Sequence, residues 1–251
     1  MLTQERKSSI LQILEQNRRV IAKDLSHELN VSEDTIRRDL RELAAEGRLH
    51  RVHGGALPAS PALADFAGRE RIASDAKVAI GRAAARMVTP GQVVFIDGGT
   101  TAVQLARSLP HDLRATVITH SPNIAIELVQ HKAIDVELIG GRLFKHSIVA
   151  VGTRAAEAIS RVRADIYFMG VTGVHREIGL TTGDAEEAAV KRLFAEQAAE
   201  TVVLASHEKL EAASPFVICA LRDIATIVVE KDVPQRLLAP YRQLGISVAL
   251  A

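Results

Sequence analysis

After residue 75 the chain alternates between short, unbroken apolar segments and longer amphipathic ones, and this alternation restricts its fold more than any other feature. The short segments have the length and the continuous apolar character of strands that are buried on both faces. The pattern predicts a mostly parallel sheet with helices on both sides, an α/β fold. We expect helices over 77–88, 102–109, 123–131, 153–162, 185–199 and 234–244, and strands over 92–96, 115–119, 136–139, 165–169, 201–205, 226–229 and 246–250.

The first 57 residues follow a different pattern, that of short helices and a hairpin. Apolar residues at helical spacing predict helices over 3–16 and 21–29. Ser32 is a suitable N-cap for a third helix, which would end at Gly47. Residues 48–57 alternate in polarity around a Gly-Gly turn, as hairpins do. Three helices followed by a hairpin are typical of a winged helix-turn-helix.

The third helix and the hairpin carry a local excess of positive charge. Between residues 35 and 57 there are five arginines and three acids, although the net charge of the 251-residue chain is only +1. Arg37 and Arg38 are expected on the outer face of the helix, which would enter the major groove of DNA beside the hairpin. The alternative is an ordinary solvated helix face. His50 and His53 lack the third ligand that a metal site needs.

Two motifs in this region carry a resemblance to a known family. They are VSEDTIRRDL over 31–40 and VHGGA over 52–56, and Leu43, Gly47, Leu49 and Arg51 accompany them. They resemble the DNA-binding region of the DeoR family of bacterial transcription regulators. The resemblance implies operator binding, usually in repression of sugar catabolism. By position it assigns to the DNA-binding surface Ser32, Thr35, Arg37, Arg38, Arg51, His53, Gly54 and Gly55.

A segment rich in proline, alanine and serine over 58–62 predicts a semi-rigid spacer between two domains. A short interdomain helix is expected over 66–72. We therefore predict a DNA-binding domain over 1–57, a linker over 58–74 and an effector-sensing α/β domain over 75–251.

Glycines and hydroxyl-bearing residues follow several of the predicted strands. Ligands of parallel sheets bind at the carboxyl ends of the strands, and a helix N-terminus there attracts anions. Arg142, Lys191 and Lys209 would add positive charge. Asp97 and Asp184 either accept hydrogen bonds from ligand hydroxyls or cap helices. We expect a small anionic, hydroxyl-rich ligand to contact Asp97, Gly98, Gly99, Thr100, Thr101, Thr119, His120, Ser121, Asn123, Gly141, Arg142, Gly170, Thr172, Asp184, Glu187, Lys191 and Lys209.

These strand ends resemble the sensor domain of the same DeoR family. The residues that carry the resemblance are DGGTT over 97–101, Thr119 with Ser121 and Asn123, IGG over 139–141, Gly170 and Val171 with Gly173, GLT over 179–181, and Glu187 and Ala188 with Val190 and Lys191. The resemblance implies a fold similar to ribose-5-phosphate isomerase and coenzyme A transferases, with a phosphorylated sugar or related metabolite as effector. His120 stands where many members carry asparagine. The run ASHEK over 205–209 replaces the more usual Ala-Asp-x-Ser-Lys.

The sequence favours binding over catalysis. Isomerisation of a sugar phosphate needs a carboxylate base, and no acid directly follows the strand that ends near Met169. The alternative is an isomerase-like enzyme with an appended DNA-binding domain. We expect no cofactor, no metal and no membrane span, and the single cysteine, Cys219, favours a cytoplasmic protein. A homo-oligomer, dimer or tetramer, is expected because one such module buries little DNA.

Overall fold

The computed structural model describes residues 2–59 and 65–251. Its N-terminal part confirms the predicted winged helix-turn-helix. A strand that the sequence did not predict, β1, pairs with β3, so that the sheet has the order β1-β3-β2. The predicted spacer lies outside the described residues from Ser60 to Ala62. The elements of this part are α1 (Thr3–Asn17), β1 (Val20–Ile21), α2 (Ala22–Glu28), α3 (Glu33–Ala45), β2 (Leu49–Val52) and β3 (Gly55–Pro58).

The three helices pack on a small apolar core. Its largest fully buried side chains are Ile10, Leu25, Ile36 and Leu43. A buried ion pair adds a polar link between α1 and α3, in which Arg6 Nε lies 2.5 Å from Asp39 Oδ2. The first helix and the third helix are therefore held together by both apolar and charged contacts.

The rest of the chain forms the predicted α/β fold. Seven strands of the described chain form one sheet in the order β15-β14-β12-β9-β4-β5-β6, and every pairing within it is parallel. The elements are α4 (Phe66–Glu70), α5 (Ser74–Ala85), β4 (Val93–Ile96), α6 (Thr100–Ser108), β5 (Ala115–Thr119), α7 (Pro122–Leu128), β6 (Ile134–Leu138), β7 (Arg142–Phe144), β8 (Val149–Val151), α8 (Thr153–Ser160), β9 (Ala164–Gly170), β10 (Gly173–His175), β11 (Gly179–Thr182), α9 (Ala185–Gln197), β12 (Ala198–Leu204), β13 (Phe216–Cys219), β14 (Thr226–Val229), α10 (Gln235–Gln243) and β15 (Ser247–Leu250).

The central strands of the sheet are buried on both faces. Phe95 and Tyr167 belong to the core on one side, with Phe194 of α9, whereas Ile96 and Phe168 belong to the core on the other side, with Leu105 of α6. Phe95 and Phe194 pack edge to face with ring centroids 4.8 Å apart. This double coverage explains why the strands are continuous apolar runs.

The strand order reverses direction between β4 and β9. From β4 the chain adds β5 and β6 on one side, and from β9 it adds β12, β14 and β15 on the other. At such a switch point the connections leave the sheet in opposite directions and open a crevice at the carboxyl ends of the two strands. The crevice here lies between the segments that follow Ile96 and Met169.

Short antiparallel strands beside the main sheet were not predicted from the sequence. β10, β11 and β13 form one small sheet, and β7 pairs with β8. Each has three or four residues, too few to give a clear periodicity. Within the two described ranges, no helix combines the length and the apolar character needed to cross a membrane.

Candidate functional site

The exposed face of α3 presents a row of arginines. Ser32 caps the helix, since its Oγ accepts a hydrogen bond of 3.3 Å from Thr35 N. Ile36, Leu40 and Leu43 are buried, which leaves Arg37, Arg38 and Arg41 exposed on the opposite face. Arg37 Nη2 donates to Glu33 Oε2 at 2.9 Å. Arg38 and Arg41 have no ion pair within the part of the chain that the structure describes, so their charges are available to a partner.

The hairpin of β2 and β3 lies beside this helix and forms the wing. Gly54 occupies its turn with a φ of +76°, a conformation that favours glycine. A Cβ at Gly55 would lie 1.9 Å from the carbonyl oxygen of Val20, so only glycine allows β1 and β3 to approach as they do. A groove between helix and wing is lined by Ala22, Arg37, Leu40, Arg51, Val52, His53, Gly54 and Gly55.

A second concave site lies at the switch point of the sheet. It is an open concavity that encloses about 550 Å³ of space, including the solvent at its mouth. Nine of the residues that the sequence predicts for a ligand line it: Gly98, Gly99, Thr100, Thr101, Gly170, Thr172, Glu187, Lys191 and Lys209. The structure adds seven that were not predicted: Arg69, Lys77, Ala102, Ser147, Val171, Thr182 and Glu208.

The N-terminus of α6 forms one wall of the cavity. Gly99 precedes the helix with a φ of +119°, which favours glycine there. The first N–H groups of a helix have no partner within it, and they carry partial positive charge. Thr101 Oγ1 is buried beside them, with no hydrogen-bond partner within residues 2–59 and 65–251. The wall therefore offers unsatisfied donors to a ligand.

Cationic side chains form the facing walls. Lys209 is 93% buried, and its ammonium has no hydrogen-bond or ion-pair partner among the described residues. Burial lowers the pKa of Lys209 to about 8. Arg69 Nη2 donates to Ser147 Oγ at 3.2 Å, whereas its Nε is buried without a partner in the described ranges. Lys77 donates to the carbonyl oxygens of Arg69 and Ile72. These groups favour an anion in the cavity.

Asp97 lies behind the cavity and does not line it. Its side chain is fully buried and accepts hydrogen bonds from Gly98 N at 2.7 Å, Gly170 N at 2.8 Å and Lys191 Nζ. Its Oδ1 also lies 2.8 Å from His120 Nε2. Burial acts to raise the pKa of Asp97, but the charge of Lys191 and the contact with His120 outweigh it and hold the pKa well below its usual range. Asp97 is thus a structural counterion for Lys191.

Asp184 has a capping role, one of the two alternatives that the sequence left open. Its Oδ1 accepts hydrogen bonds of 3.0 Å from the N–H groups of Glu186 and Glu187, at the start of α9. Arg142 lies outside the cavity, exposed, and pairs with Glu186. Arg142 follows β6, the edge strand of the sheet, and β5 lies between β6 and the strand β4 that borders the crevice. The structure also places outside the cavity lining Thr119, His120, Ser121, Asn123 and Gly141.

Arg69 and Lys77 were missed because they precede the α/β sheet in the chain. Arg69 lies on α4, inside the predicted linker, and Lys77 lies on α5. No strand end is near either of them in the sequence. Lys77 stands at helical spacing with the apolar residues Ile80, Gly81 and Ala84, and a lysine at such a position is a sequence signal that identifies it. Arg69 gives no comparable signal.

Two carboxylates, Glu187 and Glu208, belong to the cavity lining. Glu187 is a buried carboxylate in its lining, and Glu187 Oε2 accepts a hydrogen bond of 3.3 Å from Thr182 Oγ1. The segment that follows Met169 contributes glycine, valine and threonine rather than an acid.

His207, Glu208 and Glu230 place potential metal ligands within 4.8 Å of one another. The imidazole there already lies 2.7 Å from Glu230 Oε1.

A winged helix-turn-helix with an arginine-rich helix, joined to an α/β domain, defines the class of helix-turn-helix transcriptional regulators. Two family models match the chain: the DeoR-like helix-turn-helix domain over residues 6–61 and the DeoR C-terminal sensor domain over residues 72–231. The chain belongs to the DeoR family. Its family resemblance, predicted from the sequence, is confirmed.

Curated relatives of this chain are transcriptional regulators. The HTH-type transcriptional regulator GlpR of Haloferax volcanii is 36% identical over 99% of this chain and 98% of its own length. The glycerol-3-phosphate regulon repressor of Escherichia coli K12 is 30% identical over 82% of each chain. The prediction of a regulator rather than an enzyme is therefore confirmed.

Among solved structures, a ribose 5-phosphate isomerase A from Methanocaldococcus jannaschii is similar over 54% of each chain. The TM-score is 0.41 and the sequence identity is 20%. A likeness at this level says nothing about the activity of this chain.

Proposed function

We propose that this protein represses a sugar-catabolic operon and that a phosphorylated sugar or related anionic metabolite, bound in the cavity, controls its affinity for operator DNA. The observation that carries the effector part is Lys209, a largely buried residue that makes no hydrogen bond or ion pair with a described residue and lines the same cavity as the N-terminus of α6. A largely buried cation that lacks a close ion pair is unfavourable, although the nearby carboxylate of Glu208 offsets part of that cost. An anionic ligand would supply the missing partner.

The charge balance of the lining supports a negatively charged ligand. Four cationic residues and two acids line the cavity, and Lys191 is already paired with Asp97 behind it. This leaves three cationic residues in the lining, Arg69, Lys77 and Lys209, against two acidic residues, Glu187 and Glu208. A helix N-terminus with adjacent cations suits a phosphate group.

The polar uncharged part of the lining supports a ligand with hydroxyl groups. Thr172, Thr182 and Ser147 offer hydroxyls, and Glu187 offers carboxylate oxygens that accept hydrogen bonds. The name of the Escherichia coli relative refers to the regulon of a phosphorylated polyol, which agrees with this chemistry.

For the DNA side, we propose that α3 enters the major groove and that the wing contacts the backbone or the minor groove. Ser32 and Thr35 stand at the start of α3, where recognition helices contact base edges, and Arg37 and Arg38 follow on its exposed face. Arg51, His53, Gly54 and Gly55 belong to the wing. The proposed division of the chain is a DNA-binding domain over 1–57, a linker over 58–74 and a sensor domain over 75–251.

We also propose a homo-oligomer. Large apolar side chains are exposed on the edge strand β6, at Val136 and Leu138, and on α7 and its C-cap, at Ile126 and Val129. Exposed apolar groups of this kind favour association. Light scattering of the purified protein tests it, and a monomer at micromolar concentration would contradict the proposal.

A thermal-shift screen tests the effector site. The full-length protein is heated with triose, pentose and hexose phosphates, each compared with its unphosphorylated counterpart. A ligand that binds the folded state raises the melting temperature by mass action. We expect a phosphorylated compound to do so in the wild type and in Lys132→Gln, an exposed control, but much less in Lys209→Gln. Equal shifts in all three proteins would reject the site.

A gel-shift titration with promoter fragments then tests the regulatory part. The compound from the screen should change the DNA affinity of the wild-type protein. Turnover of any compound in the panel would instead favour the isomerase-like alternative.

A further inference from the structure

The DNA-binding domain contacts the α/β domain at a segment that also lines the cavity. Arg18 lies just beyond the end of α1, and its Nη2 donates hydrogen bonds to the carbonyl oxygens of Glu208 at 2.9 Å and Leu210 at 2.8 Å. The side chains of Glu208 and Lys209 belong to the cavity lining. Residues 207–211, here called the hinge segment, therefore contact the DNA-binding domain through their backbone and the cavity through their side chains.

Arg18 is fixed on the DNA-binding domain. It ends α1 in a left-handed conformation with a φ of 59°, and its N–H donates to Leu14 O at 2.8 Å. The buried Arg6–Asp39 pair then joins α1 to α3. Lys7 Nζ of α1 also forms ion pairs with Glu46 Oε1 at 2.9 Å and with Glu42 Oε2 at 3.1 Å. A displacement of Arg18 therefore moves α1 and the arginine-rich helix α3 together.

The hinge segment is anchored at its far end. Tyr241 OH is buried 2.8 Å from Glu211 Oε1 and 3.0 Å from Val174 O. Glu211 itself has a φ of 54°, an unfavourable conformation for a residue with a Cβ. Because Glu211 is held in place, a movement of Lys209 is expected to change the positions of the carbonyl groups that Arg18 contacts.

The hydrogen bonds of Arg18 to the hinge segment give little net stabilisation. Its guanidinium is half-buried, and Arg18 Nε is buried without a hydrogen-bond partner in the described part of the chain. Burial lowers the pKa of Arg18. A buried donor without a partner costs free energy comparable to that of a hydrogen bond, which offsets part of the two bonds that Nη2 makes. Such a contact is easily broken by a small displacement.

We propose that Arg18 couples the cavity to the DNA-binding domain. An anion held by Lys209 draws the hinge segment towards the N-terminus of α6, lengthens the two hydrogen bonds of Arg18 and releases the DNA-binding domain from its docked position. This inference rests on the proposed effector site. Linkage requires the effect to be reciprocal, so a contact that phosphate must break also weakens phosphate binding.

Calorimetric titration of full-length proteins with inorganic phosphate tests the coupling. The variants are Arg18→Ala and the control Arg19→Ala. Alanine and arginine both carry a Cβ, so the left-handed backbone at position 18 is no more strained in the variant. Arg19 also contacts the α/β domain, through an exposed pair with Glu177 at 3.4 Å, but it does not contact the hinge segment.

We expect Arg18→Ala to bind phosphate about fivefold more tightly or better, the lower end of common allosteric couplings, and Arg19→Ala to match the wild type. Equal affinities in all three proteins would overturn the coupling and leave the effector site intact. Absence of phosphate binding in all three would overturn both.

Hydrogen exchange of the wild-type protein tests the same coupling without a variant. Saturating phosphate should increase the exchange rate of amides in the last turn of α1 about fivefold. Slowed exchange at residues 98–102 reports binding in the cavity. Slowed exchange there, with no change at the end of α1, would overturn the coupling alone; no change at either place would overturn both.

Discussion

His120 Nε2 lies 2.8 Å from Asp97 Oδ1, and neither side chain is exposed to solvent. The same carboxylate accepts hydrogen bonds from Gly170 N and from Lys191. One buried acid thus connects the ends of β4, β5 and β9 with α9. The cavity walls at the β4/β9 crevice are held in place by this network.

Asp97→Asn should strongly destabilise the protein. The substitution leaves Lys191 buried without its counterion, and removal of one partner of a buried ion pair costs about 3–5 kcal/mol. Urea unfolding of the variant measures the loss. Asp135→Asn, at an exposed position on β6, is the matched control and should change the free energy of unfolding by less than about 0.5 kcal/mol. Similar losses in both variants would contradict the role of Asp97.

The stabilisation from Asp97 should depend on pH only in acid. The folded-state pKa of Asp97 lies well below the value of about 4 for an unfolded aspartate. Its contribution is therefore complete above about pH 4 and is lost as the pH falls towards the folded pKa. The difference in unfolding free energy between the wild type and Asp97→Asn should be constant between about pH 5 and 7 and shrink below about pH 4. A difference that persists unchanged at the lowest accessible pH would exclude this linkage.

Lys209→Met should stabilise the ligand-free protein at pH 7. The folded-state pKa of about 8 lies below the value of about 10.4 for an unfolded lysine, so the charged form is disfavoured in the folded state. Removing the charge should raise the free energy of unfolding by an amount on the order of 3 kcal/mol. The gain should disappear as the pH rises past about 10, where both states carry neutral lysine. Lys132→Met is the exposed control and should show no such pH dependence.

Binding of a phosphate monoester should weaken as the pH rises through about 8. The ligand keeps its dianionic charge in that range, since its second pKa is about 6. Lys209 loses its charge there, and the anion loses a partner. Calorimetric titrations at several pH values measure the change. Lys209→Gln should bind weakly throughout, and a wild-type affinity that does not vary with pH would argue against contact between Lys209 and the phosphate.

Arg38→Ala should weaken operator binding without unfolding the protein. Arg38 is exposed on α3 and makes no ion pair with any described residue, so the substitution removes no interaction within the described part of the protein. A base contact would cost about 1–3 kcal/mol, and a phosphate contact would reduce the salt dependence by about one ion. Gel-shift titrations at several salt concentrations distinguish the two. Arg154→Ala, exposed on α8, is the control, and equal affinities of the two variants would remove Arg38 from the interface.

The sequence predicted the features that depend on neighbouring residues. Ser32 caps α3 as its position before Glu33 and Asp34 suggests, and the Gly54-Gly55 pair marks the hairpin. The apolar runs located every strand of the main sheet to within a few residues. These features depend on local conformation and on burial. The residue types at neighbouring positions in the sequence indicate both.

The sequence did not predict which strand ends meet. Arg142 follows a strand just as Gly170 does, yet only Gly170 reaches the cavity, because β9 is central and β6 is the edge. Arg69 and Lys77 reach it from helices that precede the sheet. Strand order and helix docking are long-range properties, and no local pattern around these residues contains them.

The reversal of strand order between β4 and β9 has an evolutionary consequence. Because the sheet grows outwards from this pair in both directions, the outermost strands β6 and β15 share no residue with the cavity lining. Loops at these margins are free to lengthen, shorten or change composition while the ligand chemistry at the centre stays the same. If the chain assembles and binds a metabolite as proposed, changes in assembly at these margins leave the ligand-contacting residues at the centre untouched.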